Sequence, residues 1–151
     1  MTAEDCRREG ERLLSQGAPI LAYDRLAVGL EACPGDVRLR QLLALALARS
    51  GAPRLAIPLL ERLRGEGHAD EETLGLLARA HKDLWASAGD PDTALQHLAR
   101  SFEFYNEAYR VTGGTWSGIN AATVALLLGR GDEARSIAQL VRGLTPVVRD
   151  Q

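Results

Sequence analysis

The sequence predicts an all-α solenoid of four antiparallel helix pairs. Three observations carry that prediction. Small and apolar residues repeat at an interval of 34: Gly17 with Gly51, Ala22 with Ala56, Leu26 with Leu60, and Gly10 with Ala44 and then Ala78. A glycine is followed five residues later by an alanine four times over, at Gly17–Ala22, Gly51–Ala56, Gly89–Ala94 and Gly129–Ala134. No stretch alternates polar and apolar residues, and β-branched residues are sparse, so no strand is expected.

Each position of the repeat has a physical role. The glycine ends the first helix of a pair, where a left-handed cap is free of a Cβ clash. The early alanine of the second helix lets the two helices approach closely. One turn later comes Leu26, Leu60, Leu98 or Ala138, placed to fill the space between them. Gly10, Ala44, Ala78 and Ala122 hold the facing small position in the first helices. Pro34 and Pro146 stop second helices, because the residue before a proline is pushed out of the helical region.

This register places eight helices over about 3–16, 19–32, 37–50, 53–65, 71–88, 91–111, 116–129 and 132–144. The single domain then divides into repeats at about 3–36, 37–70, 71–114 and 115–148. Leu42, Leu43, Leu45 and Ala46 recur at helical spacing. Asp70 and Asp132, each followed by glutamate, suit helix N-termini. The third unit is longer, 44 residues from Glu71 to Gly114. Its first helix gains about a turn around Asp83–Ser87, its second runs on to Val111, and Thr112–Gly114 forms a loop.

An interval of 34 is the tetratricopeptide period, so the chain resembles a tetratricopeptide-repeat protein. The segment from Leu74 to Val141 carries a narrower likeness. It contains "LLARAHKDLW", then a lengthened helix ending in Tyr105–Tyr109, then the Gly-Ile-Asn-Ala-Ala-Thr run of Gly118–Thr123. This half of the chain resembles the TRAF-binding region of the apoptosis signal-regulating kinases and its bacterial relatives. The resemblance implies a regulatory or scaffold module, often joined to an effector domain.

Composition narrows the functional classes. Hydrophobic residues make up 46% and charged residues 25%, a soluble globular balance, and aromatics only 5%, so Leu and Ala must fill the interior. The net charge of −2 lacks the basic excess of a nucleic-acid binder. Lys82 is the only lysine among 18 basic residues, which with the Ala, Leu and Gly content suggests a GC-rich bacterial genome. The charged segment Met1–Arg12 has no apolar core and is no signal peptide. The longest apolar run, 121–128, falls short of the roughly 20 residues a membrane span needs. A soluble, cytoplasmic protein with two ordinary thiols, Cys6 and Cys33, is expected.

No catalytic, cofactor-binding or metal-binding residue is expected. Gly129-x-Gly131-x-x-Ala134 matches a dinucleotide fingerprint only in letters, because a helix and not a strand precedes it. His68, His81 and His97 have no partner at ligand spacing. Arg130-Gly131-Asp132 is a chance tripeptide, and no nucleophile sits in an elbow motif.

Surface chemistry is more informative. If the first helices line a concave face, it carries Arg7, Glu11, Arg38, Gln41, Arg79, Lys82, Trp116 and Asn120. Arginine is suited to carboxylates, so Arg7, Arg38, Arg79 and Lys82 are candidates for holding an acidic peptide, with solvated helix faces as the plainer alternative. The Lys and Asn of a chaperone-type carboxylate clamp are missing, with Glu11 and Leu42 in the asparagine places. Phe102, Tyr105 and Tyr109 form a stripe expected to seal units three and four. Asn120 is expected to tie its helix to the Gly113–Gly114 loop or to the long helix before it.

The function expected is a non-enzymatic protein–protein interaction scaffold. The alternatives are a regulatory domain of a larger signalling or defence enzyme, and a small-molecule sensor using Trp85, Tyr105 and Trp116. Ile137, Leu140, Val141 and Leu144 are candidates for a homodimer through the last helix pair.

Overall fold

A computed structural model describes residues 1–144. Eight helices follow one another: α1 (Ala3–Ser15), α2 (Pro19–Ala32), α3 (Val37–Arg49), α4 (Pro53–Gly65), α5 (Glu71–Ser87), α6 (Pro91–Thr112), α7 (Thr115–Leu127) and α8 (Gly131–Leu144). Among the described residues there is no strand. Each helix packs on the next in sequence, and α3 also touches α1 and α5, which sets these first helices along one side.

The helix starts follow from two local devices. Side-chain caps open α1, α3 and α5: Thr2, Asp36 and Asp70 each accept from a backbone N–H one turn in, at 3.1, 2.9 and 2.8 Å. Thr2 and Asp5 form a reciprocal capping box. By contrast α2 and α4 start on Pro19 and Pro53, whose missing N–H falls where no intrahelical partner exists. The long α6 has both, with Asp90 as cap and Pro91 following.

Three of the four repeat glycines end helices as expected, with φ of 75° at Gly17, 87° at Gly51 and 78° at Gly129. Gly89 departs from the rule. Its φ is not positive, and α5 instead ends in extended backbone at Ala88 because Asp90 must already be extended to cap α6. The third unit's alanine departs with it: Ala22, Ala56 and Ala134 are buried, whereas Ala94 is half-buried. The expected role of Asp132 also shifts slightly, since α8 begins one residue earlier and Asp132 lies inside its first turn. Pro34 follows the end of α2, while Pro146 lies outside the described residues.

The interior is leucine and alanine in the first half and aromatic in the second. One core cluster joins Cys6, Leu13, Ala22, Leu26, Leu39 and Leu42 across α1 to α3. The other runs from Ala44 through Leu60, Leu77, Phe102 and Tyr105 to Val141. The expected aromatic seam is present, with Phe102 and Tyr105 buried and Tyr109 packed partly against them. Close approach is achieved by absent side chains. A Cβ on Gly10 would overlap Leu26, and one on Gly118 would overlap Val141 and stand 2.9 Å from Tyr109 Cδ1.

Candidate binding groove

Between α3, α5 and α7 lies an open groove of about 870 Å³. Leu45 and Ala48 of α3 form one wall, Arg79 and Gly75 of α5 the floor, and Trp116 of α7 the other side. Arg49 stands at the end of α3. The Trp116 indole is 57% exposed, which is unusual for the largest apolar side chain. It is nonetheless held in place. Its ring edge lies 3.3 Å from where a Gly75 Cβ would be, and it meets the buried Tyr105 ring edge-on at 5.8 Å and 77°. Burial pushes the Tyr105 hydroxyl above its usual pKa, so that ring stays neutral behind the indole.

The base of α7 is fastened by a contact the sequence did not suggest. Ser117 Oγ donates to Glu71 Oε1 at 2.7 Å, and Ser117 is fully buried. That bond joins the start of α7 to the start of α5 and fixes the direction in which Trp116 points. Asn120 does not make the tie expected of it. It is half-exposed, and its side-chain amide donates to the Trp116 carbonyl one turn earlier in its own helix, at 2.9 Å.

The residues expected on this face have separate fates. Arg79 and Trp116 line the groove. Gln41 is 3% exposed, and its amide nitrogen donates to Asp70 at 3.1 and 3.2 Å and to Thr73 at 3.0 Å, so it fastens α3 to the start of α5. Arg38 reaches Glu11 at 3.5 Å and Glu72 at 3.3 Å, linking three successive first helices. Arg7 pairs with Glu4 of its own helix at 3.4 Å. Lys82 is half-buried further along α5. The structure therefore does not gather the four cations into one patch. Arg79 itself pairs with Asp83 at 3.3 Å, while Arg49 is in no ion pair among the described residues. Trp85 packs on the core and Tyr105 is buried behind the indole, so of the expected trio only Trp116 lines the groove.

Gly75, Ser117 and Arg49 were not singled out from sequence. A signal for Gly75 existed, because it stands 34 residues after Gln41, at the position facing the next first helix.

A second polar cluster lies between α5 and α6. The Nδ1 atoms of His81 and His97 are 3.1 Å apart, and His81 stacks on Phe104 at 5.7 Å. His81 is 7% exposed, and its Nε2 is buried without a hydrogen-bond partner. Burial first, then His97 and Arg100, push its pKa down to about 4. Linear spacing hid the pair, yet each histidine stands eight residues from Gly89, and residues equidistant from a turn meet across an antiparallel helix pair. Among the described residues no group of three or more His, Cys, Asp or Glu is placed to hold a metal ion.

Four antiparallel helix pairs, with the first helices lining a groove, define a tetratricopeptide-type α-solenoid. The profile of a family described as TPR-S, Tetratricopeptide Repeats-Sensor, matches residues 20–127. The chain belongs to that family. Solved structures show the same fold at low identity. TTC0263, a thermophilic TPR protein of Thermus thermophilus, superposes with a TM-score of 0.81 at 20% identity, covering 94% of this chain and 74% of that one. MamA (41-end) of Desulfovibrio magneticus RS-1 gives 0.74 at 17%, covering 94% and 75%. MamA MSR-1 gives 0.70 at 15%, covering 95% and 77%. No curated protein matches the sequence. No helix among the described residues is long and apolar enough to cross a membrane.

Proposed function

We propose that the chain is a non-catalytic interaction module that captures a segment of a protein partner in the groove between α3, α5 and α7. The observation carrying this reading is the exposed but immobilised indole of Trp116. An aromatic ring fixed in advance loses little side-chain entropy when it is covered, which is why tryptophan dominates binding hot spots. The partner segment brings an apolar or aromatic side chain onto Trp116 and a carboxylate towards Arg49. The groove's own acids, Glu71, Glu72 and Asp83, are already engaged by Ser117, Arg38 and Arg79. An acidic group therefore fits this reading at Arg49 and beside Arg79, and not at Arg7 or Arg38.

Trp116→Ala should weaken capture of the partner by about 2 kcal/mol or more, the range of a hot-spot truncation. Arg79→Glu should weaken it further, with far-UV circular dichroism unchanged in both. A partner bound equally well by both folded variants would place the docking surface elsewhere.

A second reading is small-molecule sensing. It is favoured by the family description and by a groove volume in the range of about 300–1,000 Å³ usual for ligand sites. A metabolite that raises the melting temperature of the wild type but not of Trp116→Ala would select it. Under either reading the chain regulates an effector in place of reacting itself. The likeness of Leu74–Val141 to the TRAF-binding region of apoptosis signal-regulating kinases supports that role, and the free thiols of Cys6 and Cys33 suit a cytoplasmic setting.

A further inference from the structure

The last helix pair has a trough where the earlier pairs place a leucine. In the first pair Leu26 fills the space against Gly10 and is fully buried, and Leu60 and Leu98, in the same register of α4 and α6, are each 1% exposed. In α8 that register is Ala138, which is exposed, and the facing position in α7 is another small residue, Ala122. Two small residues facing each other leave a trough of about 570 Å³, walled by Ile119, Leu126 and Val141. Its rim carries Arg135 and Arg142, and no acidic side chain among the described residues lines it. The Arg135 pair with Asp132 is a weak one at 3.5 Å, with the carboxylate fully exposed.

The trough also lies on a seam that the earlier units cover. Three residues before the small position of α3, α5 and α7 stand Gln41, Gly75 and Ile119. The start of α5 covers Gln41, and Trp116 covers Gly75. Ile119 is 53% exposed.

The outer face of α2 offers the complement. The outward stripe of α2 runs Ile20, Asp24, Val28, Glu31, with Leu21 beside it. Ile20 is 68% and Val28 47% exposed. In α4 the same two positions are Arg54 and Arg62, so an apolar stripe here is not a general property of second helices. Asp24 and Glu31 are in no ion pair among the described residues. From residue 20 to residue 31 the stripe is about 16 Å long at 1.5 Å per residue, matching the Gly131–Arg142 wall of the trough.

We propose that the α7–α8 trough of one copy receives the α2 stripe of another, joining the end of one copy to the side of the next. An apolar side chain of the stripe, Val28 or Ile20, enters the space that a leucine occupies in the other pairs. Asp24 and Glu31 face Arg135 and Arg142. Two troughs pressed together would instead oppose arginine to arginine, which disfavours a dimer through the last helix pair alone. The two surfaces differ, so the contact is heterologous and repeats into a ring or a linear stack. This inference does not rest on what the groove at Trp116 binds.

Light scattering on the full chain, from micromolar to millimolar concentration, tests it with three variants. Val28→Arg spoils the stripe, Leu126→Glu spoils the trough, and Ala138→Leu fills the trough from within while keeping it apolar. The wild type should gain mass with concentration. Each variant alone should stay monomeric with an unchanged helical spectrum, and Ala138→Leu should melt no lower than the wild type. A mixture of Val28→Arg and Leu126→Glu should form a one-to-one pair and nothing larger, since it retains a single competent stripe and a single competent trough. A wild type monomeric throughout, whatever covers its trough, overturns the proposal. So does an assembly that Val28→Arg leaves intact, which would mean trough-to-trough pairing, or a mixture that fails to pair.

Discussion

At the scale of single residues, the chain's chemistry is set by what burial does to polar groups. His81 is the clearest case. It is held neutral between Phe104 and His97, with Arg100 nearby, and its folded-state pKa of about 4 lies below the ordinary value of 6.5. A histidine whose pKa is depressed by folding stabilises the folded state above pH 6.5, and that contribution is lost as pH falls towards 4. The melting temperature should therefore drop over that interval. His81→Leu should flatten the drop, and an identical pH profile in wild type and variant would show that other groups govern acid sensitivity. Trp116 illustrates the limit of sequence at this scale. That it lies on the face of the first helices could be read from the repeat register. That Gly75 holds it upright could not, because that contact joins α5 to α7 across many residues.

At the scale of helices, the periodic signal was strong enough to place each of the eight starts within one residue. Caps and prolines act locally, so their effect can be read without knowing the fold. Gly89 resembles the other repeat glycines in spacing, but a following capping residue overrides it. Asn120 was expected to be buried because its neighbours are apolar, yet α7 exposes that side and the amide folds back on its own helix. Gly118 shows how tightly the second half is packed. α6 and α8 both approach α7 at this one position, through Tyr109 and Val141. Gly118→Ala should cost about 1–3 kcal/mol, the usual penalty of overpacking, offset slightly by the better helix propensity of alanine. Chemical denaturation would measure it, and a variant as stable as the wild type would mean that α8 shifts freely.

At the scale of the whole molecule, the two core clusters divide the solenoid unequally. The first holds α1 and α2 against α3, and the second spans the remaining helices. Solenoids are stabilised by contacts between neighbours, so terminal units open more easily than central ones. The two cysteines report on this directly. Cys33 is exposed and should react at once with a thiol reagent, whereas Cys6 is fully buried and should react only when the first unit opens. Cys6 should label faster than the rate set by global unfolding, and equal rates would show that the chain opens as one unit. The overall plan was legible because 34-residue spacing survives in linear sequence. The mixed charge of the groove was not, because each arginine's partner lies on another helix or another turn. One such partnership shapes the molecule. Arg38 spans from Glu11 to Glu72, fastening the side formed by the first helices with charges that are 40–46% exposed, while leucine and alanine join the helices in the core. Dissolved ions slacken the first kind of joint by screening and do not slacken the second that way. The chain is built like a bimetallic strip, two layers with unequal responses, and in it salt takes the place of heat.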